Sequence, residues 1–130
     1  MSEIQNESSI QALMDSWIKA ERDGEKFPVP FDMAWSIAGY SRKDVAKRKL
    51  AKMTQGCDFH RSAEMVDRPQ GGGAKAEVFR MTCDAFKHFC LMAETDQGRN
   101  VRQYFIECEK KWRLVQEVAR SLQMKLRPST

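Results

Sequence analysis

One stretch, residues 31–52, limits what this chain can fold into more than any other. It consists of FDMAWSIAGY (31–40) followed by SRKDVAKRKLAK (41–52). The first part predicts a short apolar helix that ends in a tight turn at Gly39-Tyr40, with Tyr40 exposed at the turn. The second part predicts a basic helix over 41–53, in which Ser41 caps the first turn and Asp44 completes a capping box. Two helices joined by a short turn that contains glycine are typical of a helix-turn-helix.

The second helix has two chemically different faces. Between residues 42 and 52 there are six basic residues and one acidic residue. At 100° per residue, the four apolar side chains fall within an arc of about 140°; they are Val45, Ala46, Leu50 and Met53. Because Lys47 and Arg48 lie roughly opposite this arc, one face is expected to pack and the other to present cations.

The remaining chain predicts further helices and one hairpin. Apolar spacing predicts a helix over 8–23, and the prolines of 27–30 predict a short extended link. Residues 58–66 and 76–81 predict two strands around a flexible tip at 68–75. Thr82 and Thr95 are expected to cap a helix over 83–93 and a last helix over about 96–124. We therefore expect an α+β fold, mostly helical, with a helix-turn-helix-like pair, a β-hairpin and a long C-terminal helix.

Length and composition predict one domain. The chain has 130 residues, so we expect a flexible N-terminus over 1–7 and a single domain over 8–127. The sequence contains no apolar run of membrane-spanning length and begins with a polar segment, so neither a membrane partner nor a secretory signal is expected. Its four cysteines lack close pairing, which favours reduced thiols in a cytoplasmic protein.

The last helix has an apolar seam with alternating spacings of four and three, at Val101, Phe105, Cys108, Trp112, Val115, Ala119, Leu122 and Leu126. Such a heptad pattern is typical of a dimeric coiled coil, and also of a long helix that lies across its own domain. Phe105 and Trp112 are too bulky for a regular zipper, so we expect the first half to pack inside the domain. The second half is the candidate dimerisation surface, formed by Val115, Ala119, Leu122 and Leu126.

The charge distribution favours a polyanionic partner. The formal net charge is +4. Residues 1–30 contain six acids and three bases, whereas residues 99–127 contain eight bases and three acids. A basic helix together with a basic C-terminal segment suits nucleic acid. An uneven but merely solvated surface is the alternative at this point.

The spacing of the cysteine, histidine and acidic residues does not predict a catalytic or metal-binding site. Cys57, His60, Cys83, His88 and Cys90 include enough ligands for zinc, but the helical positions 83, 88 and 90 do not share one face. Cys83 and His88 lie about 140° apart on a helix, which argues against a local nucleophile–base pair. The acidic residues are not clustered, and no phosphate-binding loop motif is present. We therefore expect no enzyme activity, no cofactor and no metal.

Three ordered segments resemble one known group. They are FDMAWSIAGYSRKDVAKR (31–48), GCDF (56–59) followed by the hairpin, and MTCDAFKHFCLMA (81–93) continuing through GRNVRQYFIECE (98–109). Together they resemble the KilA-N/Bro-N-like domains of viral and phage antirepressor-type proteins, over about residues 27–115. The resemblance implies a small α+β DNA-binding domain. By position it implies that Arg42, Lys43, Lys47, Arg48 and Lys49 face DNA. Trp35 departs from the general helix-turn-helix pattern, in which a small residue is usual there.

The predicted function is that of a double-stranded-DNA-binding transcriptional regulator of viral or mobile-element type, located in the host cytoplasm or nucleoid. The 68–75 tip would touch the neighbouring phosphate backbone. Two alternatives remain: an antirepressor that binds a repressor protein through the 115–126 seam, or the DNA-targeting part of a nuclease system. The predicted DNA-binding residues are Tyr40, Ser41, Arg42, Lys43, Lys47, Arg48, Lys49, Lys52, Arg68 and Lys75.

Overall fold

A computed structural model describes residues 7–67 and 73–126 of the chain. In these ranges the fold contains five helices and three strands. In chain order they are α1 (Glu7–Arg22), β1 (Val29–Pro30), α2 (Phe31–Ile37), α3 (Lys43–Leu50), β2 (Phe59–Asp67), β3 (Gly73–Met81), α4 (Cys83–Met92) and α5 (Asp96–Leu126). The α+β, mostly helical architecture with a hairpin and a long C-terminal helix is confirmed.

The sheet combines the predicted hairpin with a strand that the sequence did not predict. β2 and β3 pair antiparallel from Phe59↔Met81 to Asp67↔Gly73. β1 pairs antiparallel with the other edge of β3, so the strand order is β1-β3-β2. β1 has only two residues, one of them Pro30. Such a segment has no alternation to detect, and proline is tolerated there because the strand lies at an edge.

Two threonines begin the last two helices as predicted. The Thr82 side chain accepts a hydrogen bond from the Ala85 backbone N–H at 3.0 Å. The Thr95 hydroxyl likewise accepts from the Gly98 backbone N–H at 2.9 Å. Each satisfies a helix N–H that has no partner within the helix. These local contacts confirm both predicted caps.

Helix α4 supplies the centre of the core with two aromatic side chains. Phe86 contacts Trp17 of α1 edge-on at 5.3 Å between ring centroids and Phe105 of α5 at 5.5 Å. Phe89 faces the other half of the domain and contacts Phe31 of α2 at 5.9 Å. Aromatic pairs at these distances contribute about 0.5–1.5 kcal/mol each beyond the burial of their area. α4 therefore joins the α1–α5 pair to the part of the domain that holds α2 and the sheet.

Helix α5 has a packed half and an exposed half. Val101, Phe105 and Cys108 are buried, which confirms the prediction for the first half. Trp112 donates from Nε1 to Asp15 of α1 at 3.1 Å, and the Arg22 guanidinium lies 4.6 Å from its ring. Beyond Trp112 the apolar side chains that the structure describes are exposed. None of the described helices is apolar over enough length to span a bilayer.

Gly98 lies where three helices meet. A Cβ built at this position would overlap the Cys90 carbonyl oxygen of α4 and lie 3.0 Å from the Ala38 carbonyl oxygen after α2. Both obstructing atoms belong to backbone, so they cannot rotate away as a side chain would. The absence of a side chain at Gly98 therefore permits the close approach of α5 to α4 and to the end of α2.

Gly98→Ala tests this close approach. In an open helix the change would stabilise by about 1 kcal/mol through helix propensity. Here we expect a loss of about 1–3 kcal/mol, because the new methyl group forces backbone apart. Chemical denaturation measures the free energy of unfolding, and Asn100→Ala, an exposed position two residues on, is the matched control. Stabilisation by Gly98→Ala similar to that of the control would contradict the packing.

Candidate nucleic-acid interface

A turn at residues 38–42 sets the direction of α3 relative to α2. Gly39 has a φ of +91°, a left-handed conformation that favours glycine. The Tyr40 backbone N–H donates to the Trp35 carbonyl at 3.1 Å and closes the turn. Ala46 and Leu50 of α3 are fully buried, which confirms the predicted packing face. Trp35, the bulky residue in the helix-turn-helix pattern, is half-buried and packs against the core.

Tyr40 is buried, so the prediction that it is exposed at the turn is wrong. Its side chain is 8% exposed, and its ring stacks on Phe89 at 4.6 Å between centroids. Its hydroxyl donates to the Phe89 carbonyl oxygen at 2.9 Å. Burial raises the pKa of the Tyr40 phenol well above its ordinary value. Tyr40 therefore holds the turn on α4 and has no free face for a nucleotide base.

The predicted capping box is also wrong. The helix begins at Lys43, and Arg42 occupies the N-cap position in an extended conformation (φ −143°, ψ 143°), without a side-chain cap. Ser41 lies one residue outside this position and is exposed. Asp44 instead accepts two hydrogen bonds from Arg42, from Nε at 3.0 Å and from Nη2 at 2.6 Å. Because the helix begins one residue later than predicted, Ser41 does not stand at the N-cap position from which a hydroxyl accepts from the N–H groups of the first turn.

Four of the six basic residues predicted on this helix are paired with acids. Arg42 and Arg48 both bind Asp44, and Arg48 does so at 3.5 Å. Lys43 binds Asp32 of α2 at 2.7 Å, and Lys47 binds Glu77 of β3 at 3.5 Å. Lys49 and Lys52 form no ion pair within the described part of the chain. All of these ion pairs are about half exposed or more, so each contributes little to stability. The single-contact pairs of Lys43, Lys47 and Arg48 can exchange the carboxylate for another anion, whereas Arg42 binds Asp44 at two points.

The structure brings the hairpin beside α3. Glu77 of β3 lies between two cations, because it accepts contacts from Lys47 and from Arg61 of β2, the latter at 3.3 Å. Below them a groove of about 410 Å³ separates α3 from the sheet. Its lining residues are Lys47, Leu50, Ala51, Met53, Gln55, Phe59, Arg61, Glu77 and Phe79. The cations at this rim thus come from two consecutive elements, α3 and β2, and share a carboxylate of β3.

Arg61 was absent from the predicted site. Because side chains two residues apart in a strand point to the same face, the sequence indicates that Arg61 and the buried Phe59 share one face of the sheet. In the structure both residues line the groove beside α3. Of the two hairpin residues that were predicted on the tip, Lys75 lies in β3 opposite Met65, so its placement in a flexible tip over 68–75 is wrong. Arg68 falls outside the described residues.

The cysteines do not form a reactive or metal-binding site in the described residues. Cys83, Cys90 and Cys108 are buried and free, whereas Cys57 is exposed and free. Burial raises the pKa of the Cys90 thiol to about 12 and also raises the pKa of Cys83. The described ranges contain no group of three or more histidine, cysteine, aspartate or glutamate side chains placed to hold a metal ion.

No family model, characterised protein or solved structure matches this chain. The resemblance to KilA-N/Bro-N-like domains therefore stays a prediction from the sequence. The most distinctive surface of the described chain is the cationic face of α3 with the adjoining β2–β3 hairpin. We call this surface the α3–hairpin face and define its cations as Arg42, Lys43, Lys47, Arg48, Lys49, Lys52 and Arg61.

Thiol titration tests the burial of the cysteines. With a chromogenic disulfide reagent at pH 8, we expect one thiol per chain, that of Cys57, to react within seconds. The other three are expected to react at the rate of unfolding, because they are shielded and those of Cys83 and Cys90 stay protonated at this pH. Cys57→Ser should abolish the fast phase. A fast phase of two or more thiols in the native protein would contradict this arrangement.

Proposed function

We propose that this protein is a non-enzymatic regulator that binds double-stranded DNA through the α3–hairpin face, of the viral or mobile-element type that the sequence resemblance implies. The observation that supports this most directly is that α3 buries its apolar side and exposes Lys43, Lys47 and Arg48 beside a two-stranded ribbon, whereas Lys49 is half-buried. Helix and ribbon are both elements that the major groove of duplex DNA admits. Such a regulator would act in the host cytoplasm or nucleoid.

The arrangement suggests distinct roles along α3. In helix-turn-helix proteins, the N-terminal residues of the second helix contact base edges. Arg42 and Lys43 occupy that end here. Lys47, Arg48 and Lys52 lie farther along the basic segment and would bind phosphates. On contact, Asp44 and Glu77 would release Arg48 and Lys47 to the more highly charged DNA backbone, since exposed ion pairs exchange at little cost.

Arg48→Ala combined with Lys52→Ala tests the DNA-binding face. At 0.1 M salt we expect affinity for a random duplex to fall by about one to two orders of magnitude. The slope of log K against log salt should decrease by about 2, because two phosphate contacts are lost. Fluorescence anisotropy with a labelled duplex measures both quantities.

The matched control removes two cations elsewhere, by Lys19→Ala in α1 combined with Lys110→Ala in α5. It changes the net charge equally, and we expect less than a threefold change in affinity. If the two double variants weaken binding equally, net charge rather than the α3–hairpin face determines binding, and the assignment is wrong.

A second candidate function is protein binding by the exposed half of α5. Leu114 and Val115 are each 60% exposed, Val118 is 53% exposed and Leu122 is 52% exposed. Val115 and Leu122 belong to the predicted seam, and Ala119 between them is exposed as well. Leu114 and Val118 were not in the predicted seam, and they make the exposed apolar stripe wider. The side chain of Leu126, the fourth predicted residue, is not among the described side chains. Exposed apolar stripes of this kind mark interaction sites, and heptad spacing favours a second copy of the chain over a repressor protein.

Sedimentation equilibrium of the wild-type chain and Leu122→Glu tests self-association. We expect a monomer–dimer equilibrium in the wild type and at least a tenfold weaker dimer in the variant, because a buried carboxylate opposes pairing. Met124→Glu is the control, since Met124 is also exposed and lies about 200° around the helix from Leu122. A wild-type chain that stays monomeric at 0.2 mM would reject the dimer.

A further inference from the structure

The Arg42 guanidinium is held on one edge by Asp44. Its Nε and Nη2 donate to the two carboxylate oxygens at 3.0 and 2.6 Å. This is a two-point contact between planar groups, so it fixes the plane and the direction of the guanidinium together. The hydrogen bond from Arg42 lowers the pKa of the Asp44 carboxyl, as expected for a contact between two charged groups.

The other end of the same guanidinium has no partner in the described residues. Arginine has five N–H donors, and Asp44 uses one on Nε and one on Nη2. The Nη1 group and the second Nη2 hydrogen remain, side by side and in one plane. The Arg42 side chain is 69% exposed, so this pair of donors faces solvent.

The remaining donors match one base edge in duplex DNA. Guanine presents two adjacent acceptors in the major groove, O6 and N7, and arginine binds them with two parallel hydrogen bonds. Adenine offers one acceptor and one donor there, so it cannot satisfy both N–H groups. Arg42 also precedes the first residue of α3, the end from which helix-turn-helix proteins contact bases.

We propose that Arg42 recognises a guanine in the major groove and that Asp44 is the positioning residue that presents it. This inference rests on the proposed DNA-binding function and adds a base preference to it. Free arginine side chains lose much rotamer freedom on binding, and a guanidinium already fixed by a carboxylate loses less. Lys43 is a poorer candidate, because its ammonium binds Asp32 at 2.7 Å and has no planar pair of donors.

Selection of bound sequences from a random duplex pool tests the proposal. The wild-type chain should enrich sites with a guanine at one position, and the ratio of affinities for guanine and adenine there should be about tenfold or more. Arg42→Lys should reduce this ratio to about threefold or less while keeping salt-dependent binding to random duplex, because its charge is retained. Thermal unfolding of each variant shows that it is folded.

Asp44→Asn distinguishes positioning from simple charge effects. We expect the guanine preference to fall at least threefold while affinity for random duplex rises, because a carboxylate near the phosphates is removed. The matched control is Asp32→Asn, which removes the acid beside Lys43. It should raise affinity for random duplex to a similar extent and leave the guanine preference unchanged.

Two results overturn the proposal in distinguishable ways. If wild-type chain binds duplex but Arg42→Lys or Asp44→Asn keeps the full guanine preference, or if no guanine is enriched, the base assignment fails and the DNA-binding function stands. If the wild-type chain binds no duplex at low salt, the proposed function fails and the base assignment fails with it.

Discussion

The contact between Tyr40 and Phe89 fixes where the basic helix lies. The stacked rings and the hydrogen bond from the Tyr40 hydroxyl to the Phe89 carbonyl join the turn before α3 to the central helix α4. Phe86 on the same helix contacts Trp17 and Phe105. One helix thus connects the α1–α5 pair to the turn that precedes α3. The orientation of the cations is a consequence of core packing, since α3 itself has only eight residues.

Neighbouring acids neutralise more of the positive charge of the α3–hairpin face than the sequence of the basic helix indicates. Asp32, Asp44 and Glu77 come from three different elements, and together they pair with five cations of the α3–hairpin face. Paired cations attract phosphate less at long range than free ones, which lowers affinity for arbitrary DNA. At Arg42 an acid also sets the direction in which the guanidinium points. In the proposed complex with DNA, the acids would therefore favour discrimination between DNA sequences over strength of binding.

The sequence predicted those features that depend on local chemistry. Apolar spacing predicted the helices, alternation around a glycine-rich segment predicted the hairpin, and Thr82 and Thr95 were predicted as caps because an N-cap contact spans only three residues. Bulky residues in the α5 seam correctly indicated that its first half packs inside the domain. The short strand β1 escaped prediction because two residues have no periodicity, and its pairing with β3 depends on residues more than 40 positions away.

The contacts within the candidate site were predicted less well than its residue types. The basic residues are visible in the sequence, but some of the partners they contact are far away in the chain and become neighbours only in the fold. Lys47 and Glu77 are 30 residues apart, and Arg61 reaches the same carboxylate from the neighbouring strand. Tyr40 follows a glycine in a turn, and the residue that covers it, Phe89, lies 49 residues away. Ser41 is not the cap because the helix begins at Lys43, which makes Arg42 the N-cap residue.

An NMR titration of the uniformly ¹⁵N-labelled chain with a short duplex of mixed sequence at low salt tests DNA binding by the α3–hairpin face most directly. If this face binds DNA, amide chemical shifts change mainly in 41–53 of the basic helix region and in 59–67 and 73–79 of the hairpin, with little change in 114–126. Shift changes confined to 114–126, or none at duplex concentrations up to 1 mM, would contradict the assignment of DNA binding to the α3–hairpin face.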